Sequence, residues 1–163
     1  MSITQRTKKG EKGIVTLLTA SGLVFLIMPF VGLAIDVGVA YTVKAKLQTA
    51  VDGAAIAAGR SLARGIDATT QQAAATDTAK RFYHANFPNN WMGVTPVPDP
   101  VVTFPPAPLK TVIVNISGSV AVPTYFMRAM NWNTMTVSAL GQVTRRDVNI
   151  ILVIDRSGSI ADS

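Results

Sequence analysis

At 163 residues the chain is long enough for about one domain, yet only 15% of its residues are charged and 48% are hydrophobic, where soluble domains carry about 25% charged residues. Together with a mean hydropathy of +0.33, this composition excludes an ordinary soluble domain and wholesale disorder, and it fits a mixed membrane and globular protein. The absence of cysteine excludes disulfide scaffolds, thiol catalysis and thiolate zinc sites, while the single histidine, His84, rules out a His-rich metal cluster and is the one residue a Ser-His-Asp triad could use.

The net charge of +6 is unevenly placed. Four of the bases, Arg6, Lys8, Lys9 and Lys12, fall within the first twelve residues against one acid, Glu11. The bases beyond residue 43 are scattered, with no run longer than Lys80-Arg81 or Arg145-Arg146 and no interleaved aromatics, so nucleic acid is not an expected partner. Common enzymology is not expected either: His84 sits in an Ala-rich helical pattern and no nucleophile elbow is present.

Gly13 to Ile35 carries no charged side chain. At 1.5 Å per residue it spans ~34 Å, enough for the ~30 Å hydrocarbon layer with some tilt. Pro29 lies inside this run and is tolerated in a bilayer when neighbouring groups satisfy the freed carbonyl. A cleaved secretory signal has an apolar region of about 7 to 15 residues and a small-residue cleavage triplet. Here the run is longer and passes directly into amphipathic sequence, so a retained membrane span is expected. The basic flank precedes it and Asp36 follows it, which places the N-terminus in the cytoplasm and the bulk of the chain outside.

Past Asp36, Val43, Leu47, Val51, Ala54, Ala58 and Leu62 recur at spacings of three and four, the helical period. With no Pro or turn cluster between them and the span, one long helix is predicted from about Gly13 to about Leu62. The small residues Gly53, Ala54, Ala55, Ala57 and Ala58 read as a closely packed face, expected to lie on the strands around Val112 to Val122. Gly65-Ile66-Asp67 supplies a stop and a new N-cap, and a second helix follows from about Ala68 to Asn86, with Ala75, Ala79, Phe82 and Tyr83 predicted on one face.

From Pro88 to Pro108 seven prolines exclude helix. Thr111 to Val122 then alternates, with Val112, Val114, Ile116, Gly118, Val120 and Val122 in one phase, which predicts a strand or a hairpin bent near Gly118. A short helix opening at Pro123 and a second alternating strand, TMTVSALGQVTR, complete an α+β region with antiparallel strands after the helices.

Val148 to Ile154 is a near-continuous apolar run, as in a strand buried on both faces. It ends in Asp155-Arg156-Ser157-Gly158-Ser159, where one carboxylate and two hydroxyls at alternate positions suit Mg²⁺. Equally, Asp and Ser cap a following helix, and spacing alone does not choose. A parallel sheet needs a crossover and another strand, so this last unit is expected to be incomplete and its metal site partial.

The segment KKGEKGIVTLLTASGLVFLIMPFVGLAIDVGVAYTVKAKLQTAVDGAAIAAGRSLA resembles the N-terminal region of Flp pilus-assembly TadE/TadG-like proteins. Asp36, Gly38, Leu47, Gln48, Ala50, Asp52, Ala54 and Ala55 carry the likeness, with VPTYFMRAM and the next strand resembling the family's small β unit. ILVIDRSGS resembles the first strand and metal motif of von Willebrand factor A domains, which assigns Asp155, Ser157 and Ser159 as metal ligands. The resemblance implies a non-enzymatic pilus-assembly or adhesion protein, single-pass in the bacterial inner membrane, with other pilus or surface proteins as partners. The domains it implies are a basic flank (1–12), a transmembrane helix (13–35), an extracytoplasmic region (36–146) and the start of a von Willebrand factor A-type domain (147–163). Its alternative is a metal-dependent ligand-binding protein for which residues 1–146 form the stalk. TadE-like pilins are processed after a glycine with glutamate five residues on. Leu18 and Val15 occupy that position after Gly13 and Gly10, so such cleavage is not expected.

Overall fold

A computed structural model describes residues 9–64, 67–108 and 110–146. Helix α1 runs unbroken from Lys9–Ser61 with Pro29 inside it, and a 3-10 turn, Leu62–Arg64, ends it. Helix α2, Ala68–Asn86, starts where expected. Asp67 accepts from the Thr70 backbone N–H at 2.7 Å while the Thr70 hydroxyl accepts from the Asp67 backbone N–H, a reciprocal capping box. Three antiparallel strands follow, β1 (Val101–Thr103), β2 (Thr111–Pro123) and β3 (Thr134–Arg146), in the order β1-β2-β3. The register pairs Val101 with Ser117 and carries β2 against β3 from Thr111 opposite Arg146 to Pro123 opposite Thr134. Among the described residues the architecture is α+β, two helices and a small antiparallel sheet.

Burial changes abruptly along α1. Every side chain from Gly13 to Val31 is exposed, Phe25 to 82%. Beyond Asp36 the helix becomes a core element, and Val43, Leu47, Val51, Ala54, Ala58 and Leu62 are all buried. The helical stripe therefore faces protein, and it packs on α2 and β3 as well as on β2. Small residues on this face let α2 approach closely, while Val114, Ile116, Val120 and Val122 close the core from the sheet side. On the opposite sheet face, polar pairs fill the surface: Gln142 donates to Asn115 at 2.7 Å and Ser138 to Ser119 at 3.1 Å.

Two details depart from the sequence expectation, one settles an alternative it left open and one adds to it. In α2 the buried residues are Ala75, Ala79 and Tyr83, spaced by four, whereas Phe82, rotated about 100° from Tyr83, is 49% exposed. β2 does not bend at Gly118; the glycine is there because Tyr83 lies over it, and a Cβ at that position would sit 2.8 Å from the Tyr83 ring. Pro123 ends β2 instead of opening a helix, and the helical segment is a 3-10 turn, Met127–Met130. The proline-rich stretch holds β1, with the main-chain pairing confined to the three residues Val101–Thr103, which contain no proline.

Candidate functional site

The most specific polar arrangement lies where α1 changes character. Asp36 is the sole charge between Gly13 and Val43 and is only 2% exposed. Its Oδ1 accepts from the Tyr125 N–H at 2.8 Å, and its Oδ2 accepts from the Phe126 N–H at 3.0 Å and the Met127 N–H at 2.7 Å. These are the donors that open the 3-10 turn Met127–Met130, so the carboxylate caps that turn from another element. A buried carboxylate is tolerated only when hydrogen-bonded, and three backbone donors meet that demand. The arrangement locks the segment between β2 and β3 onto α1 at a single level of the helix. One turn earlier, the Phe126 ring lies on Gly32: a Cβ on Gly32 would fall 2.6 Å from Phe126 Cβ. A groove of about 540 Å³ opens beside this contact, between α1 and the turn.

The Leu-Gln-x-Ala-x-Asp-x-Ala-Ala pattern acquires a structural meaning. Leu47, Ala50, Ala54 and Ala55 are buried against the sheet and α2. The Gln48 amide donates to Asp52 Oδ1 at 2.9 Å and to the Leu140 carbonyl on β3, also at 2.9 Å. Gln48 thus satisfies a main-chain acceptor of β3 while Asp52 orients its amide. Of the sequence-selected residues, Asp36, Leu47, Gln48, Ala50, Asp52, Ala54 and Ala55 all act on the joint between α1 and the rest of the chain.

His84 takes a different role. Its Nε2 lies 2.8 Å from Asp99 Oδ1, and Lys80 Nζ is 2.9 Å from Asp99 Oδ2. The cluster fastens the proline-rich segment to α2. The Lys80 hydrogen bond, followed by that of His84, holds the Asp99 carboxyl below its ordinary value of 3.8. Tyr83 is fully buried and its hydroxyl has no hydrogen-bond partner, and burial raises its pKa. Among the described residues, no group of three or more His, Asp or Glu side chains is arranged to hold a metal ion. Asp155, Ser157 and Ser159, together with the Val148–Ile154 strand, lie outside the described residues.

Sequence reasoning missed the partners of Asp36, because the loop it binds lies about 90 residues away and no local pattern connects the two. One signal was present: a lone carboxylate at the end of an apolar run, inside a continuing helix, requires buried donors from elsewhere.

A family model described as putative Flp pilus-assembly TadE/G-like matches residues 13–79. The match takes in α1 from Gly13 onward and the first part of α2, and the sheet falls outside it. No curated protein and no solved structure matches the chain.

Proposed function

We propose that this chain is a membrane-anchored component of a Flp-type pilus-assembly system, acting by assembly with other pilus components and not by catalysis. The observation that carries the reading is the coincidence of the matched range, 13–79, with a helix that is apolar and exposed all round in its first half and a core element in its second. A helix hydrophobic on every face needs an apolar solvent, and every residue from Gly13 to Val31 stays exposed. The span crosses the bilayer once. The four bases ahead of it and Asp36 behind it favour a cytoplasmic N-terminus and an extracytoplasmic helix-and-sheet unit, in the inner membrane of a bacterium.

Deleting the gene in its native host should abolish surface filaments seen by electron microscopy, and the wild-type gene supplied in trans should restore them. Normal filaments in the deletion strain would overturn the proposal. Surface adhesion is the finer alternative, in which filaments persist and attachment is lost.

For residues 147–163 the proposal rests on spacing and resemblance alone: Asp155, Ser157 and Ser159 open a von Willebrand factor A-type domain and contribute to a Mg²⁺ site. Titrating Mg²⁺ calorimetrically into a chain that carries the rest of that domain, with and without Asp155→Ala, tests it. Binding unaffected by the substitution would overturn it.

A further inference from the structure

We infer that the turn between β2 and β3, residues 125–132, is a second membrane contact: it sits in the outer half of the lipid layer beside α1 and holds the helix-and-sheet unit against the bilayer surface. The inference rests on the reading of residues 13–35 as a membrane span.

The reason is one of level. Phe126 lies on Gly32, and Met28, Phe30 and Leu33 form one wall of the groove whose other wall includes Phe126, Met130 and Trp132. Residues 28 to 33 precede Asp36 by three to eight positions, placing them ~5–12 Å toward the middle of the span at 1.5 Å per residue. Side chains that touch this stretch share its depth. If α1 crosses the hydrocarbon layer there, the turn is inside it.

The composition of the turn suits that depth. Its large apolar side chains turn away from the protein core: Met130 is 78% exposed, Trp132 67%, Tyr125 58% and Phe126 48%. Contiguous exposure of this kind is costly in water, whereas Trp and Tyr concentrate at the lipid headgroup level. Arg128, also exposed, has a stem long enough to remain among apolar chains while its guanidinium reaches phosphate.

Backbone polar groups must be paired before a non-helical segment can enter lipid. Six of the N–H groups of residues 125–132 are paired within the protein. Asp36 takes the N–H groups of Tyr125, Phe126 and Met127. Ala129 donates to Phe126, Asn131 to Arg128, Trp132 to Met127 and Thr124 to Asn133 through the main chain, and the Thr124 hydroxyl donates to the Trp132 carbonyl. The buried carboxylate is therefore also what makes the turn compatible with a low-dielectric surround. Lipid fits the groove because the groove is continuous with the face of the span itself, and acyl chains that solvate Phe30 and Leu33 extend over Met130 and Trp132 without interruption.

The test uses the full chain in phospholipid vesicles with no other protein. Trp91→Phe leaves Trp132 as the sole tryptophan. Its emission should be blue-shifted, shielded from aqueous acrylamide, and quenched more by phospholipids brominated near the carbonyl end of the acyl chain than by those brominated near its terminus. In parallel, a tryptophan placed by Leu23→Trp in a chain with Trp91→Phe and Trp132→Phe reports on the span, and deep bromines should quench it best. Trp132 emission that acrylamide quenches and bromolipid does not, with the Leu23→Trp reporter still quenched by deep bromines, would overturn the second contact and leave the span standing. Trp132 insensitive to both quenchers would also overturn it, since a second copy of the chain would then be the cover. A Leu23→Trp reporter insensitive to bromolipid would overturn the inference and the membrane reading together.

Discussion

At the scale of single residues, three side chains separate polar need from polar supply. Asp36 meets three backbone donors, and Asp36→Ala leaves them without an acceptor, so amide hydrogen exchange at residues 125–127 should accelerate by about tenfold or more, with Asp36→Asn giving a smaller effect because one carbonyl oxygen remains. Unchanged exchange at those amides in the alanine variant would contradict the cap. Tyr83 is the opposite case, a buried hydroxyl with no partner. Tyr83→Phe keeps the ring over Gly118 and removes the orphaned group, so the melting transition should rise, by about 0.5–1.5 kcal/mol of stability; a fall of that size would reveal a hydrogen bond that phenylalanine cannot make. Asp67 supplies a pH dependence. The Thr70 backbone hydrogen bond holds its carboxyl below the ordinary value of 3.8, and the depressed value means the unfolded chain takes up the proton first. Its stabilisation is therefore complete above the ordinary value and is lost as pH falls through the lower folded value. Asp67→Ala should lower the melting temperature at neutral pH by roughly a few degrees and by less in acid, where the protonated carboxyl keeps only a neutral cap. An equal effect at both pH values would show that the charge is irrelevant.

At the scale of elements, α1 is one helix with two characters, apolar and exposed from Gly13 to Val31 and buried along one face beyond Asp36. The change was legible in the sequence, because uninterrupted apolar residues give way to a three-and-four spacing at Val43 without any breaker between. The packed stripe, the capping aspartate of α2 and the alternating phase of β2 were equally legible, since each is a local periodicity or a local hydrogen-bonding rule. What was not legible depends on tertiary contact. Gly118 leaves strand and bent hairpin both open, because isolated glycines weaken strands, and only the Tyr83 ring above it explains the residue. Phe82 looked like a core aromatic because hydrophobicity was read without the narrower four-residue stripe that α2 presents. Ala54 is the sharpest probe of the stripe. It is fully buried, and Ala54→Arg places an unpaired charge between α1 and its neighbours, which should destabilise the helix-and-sheet unit by about 3–5 kcal/mol. A melting temperature equal to that of the wild type would mean this face of α1 is open to water.

At the scale of the whole molecule, the exposed apolar segment and the folded unit are not two modules joined by a linker, since the helix that is exposed from Gly13 to Val31 supplies the core stripe from Ala40 onward. The candidate joint was only half visible in the sequence: Asp36, Gln48 and Asp52 stood out by type and position, but the Tyr125–Met127 amides and the Leu140 carbonyl they engage are set by the chain's return about 90 residues later. The central proposal is that this helix crosses the inner membrane once, carrying the sheet to the far side. The most direct measurement fuses, after Arg146, either a phosphatase that is active only outside the cytoplasm or a galactosidase that is active only within it, in matched bacterial strains. The account expects an active phosphatase fusion and a silent galactosidase fusion; an active galactosidase with a silent phosphatase would contradict it.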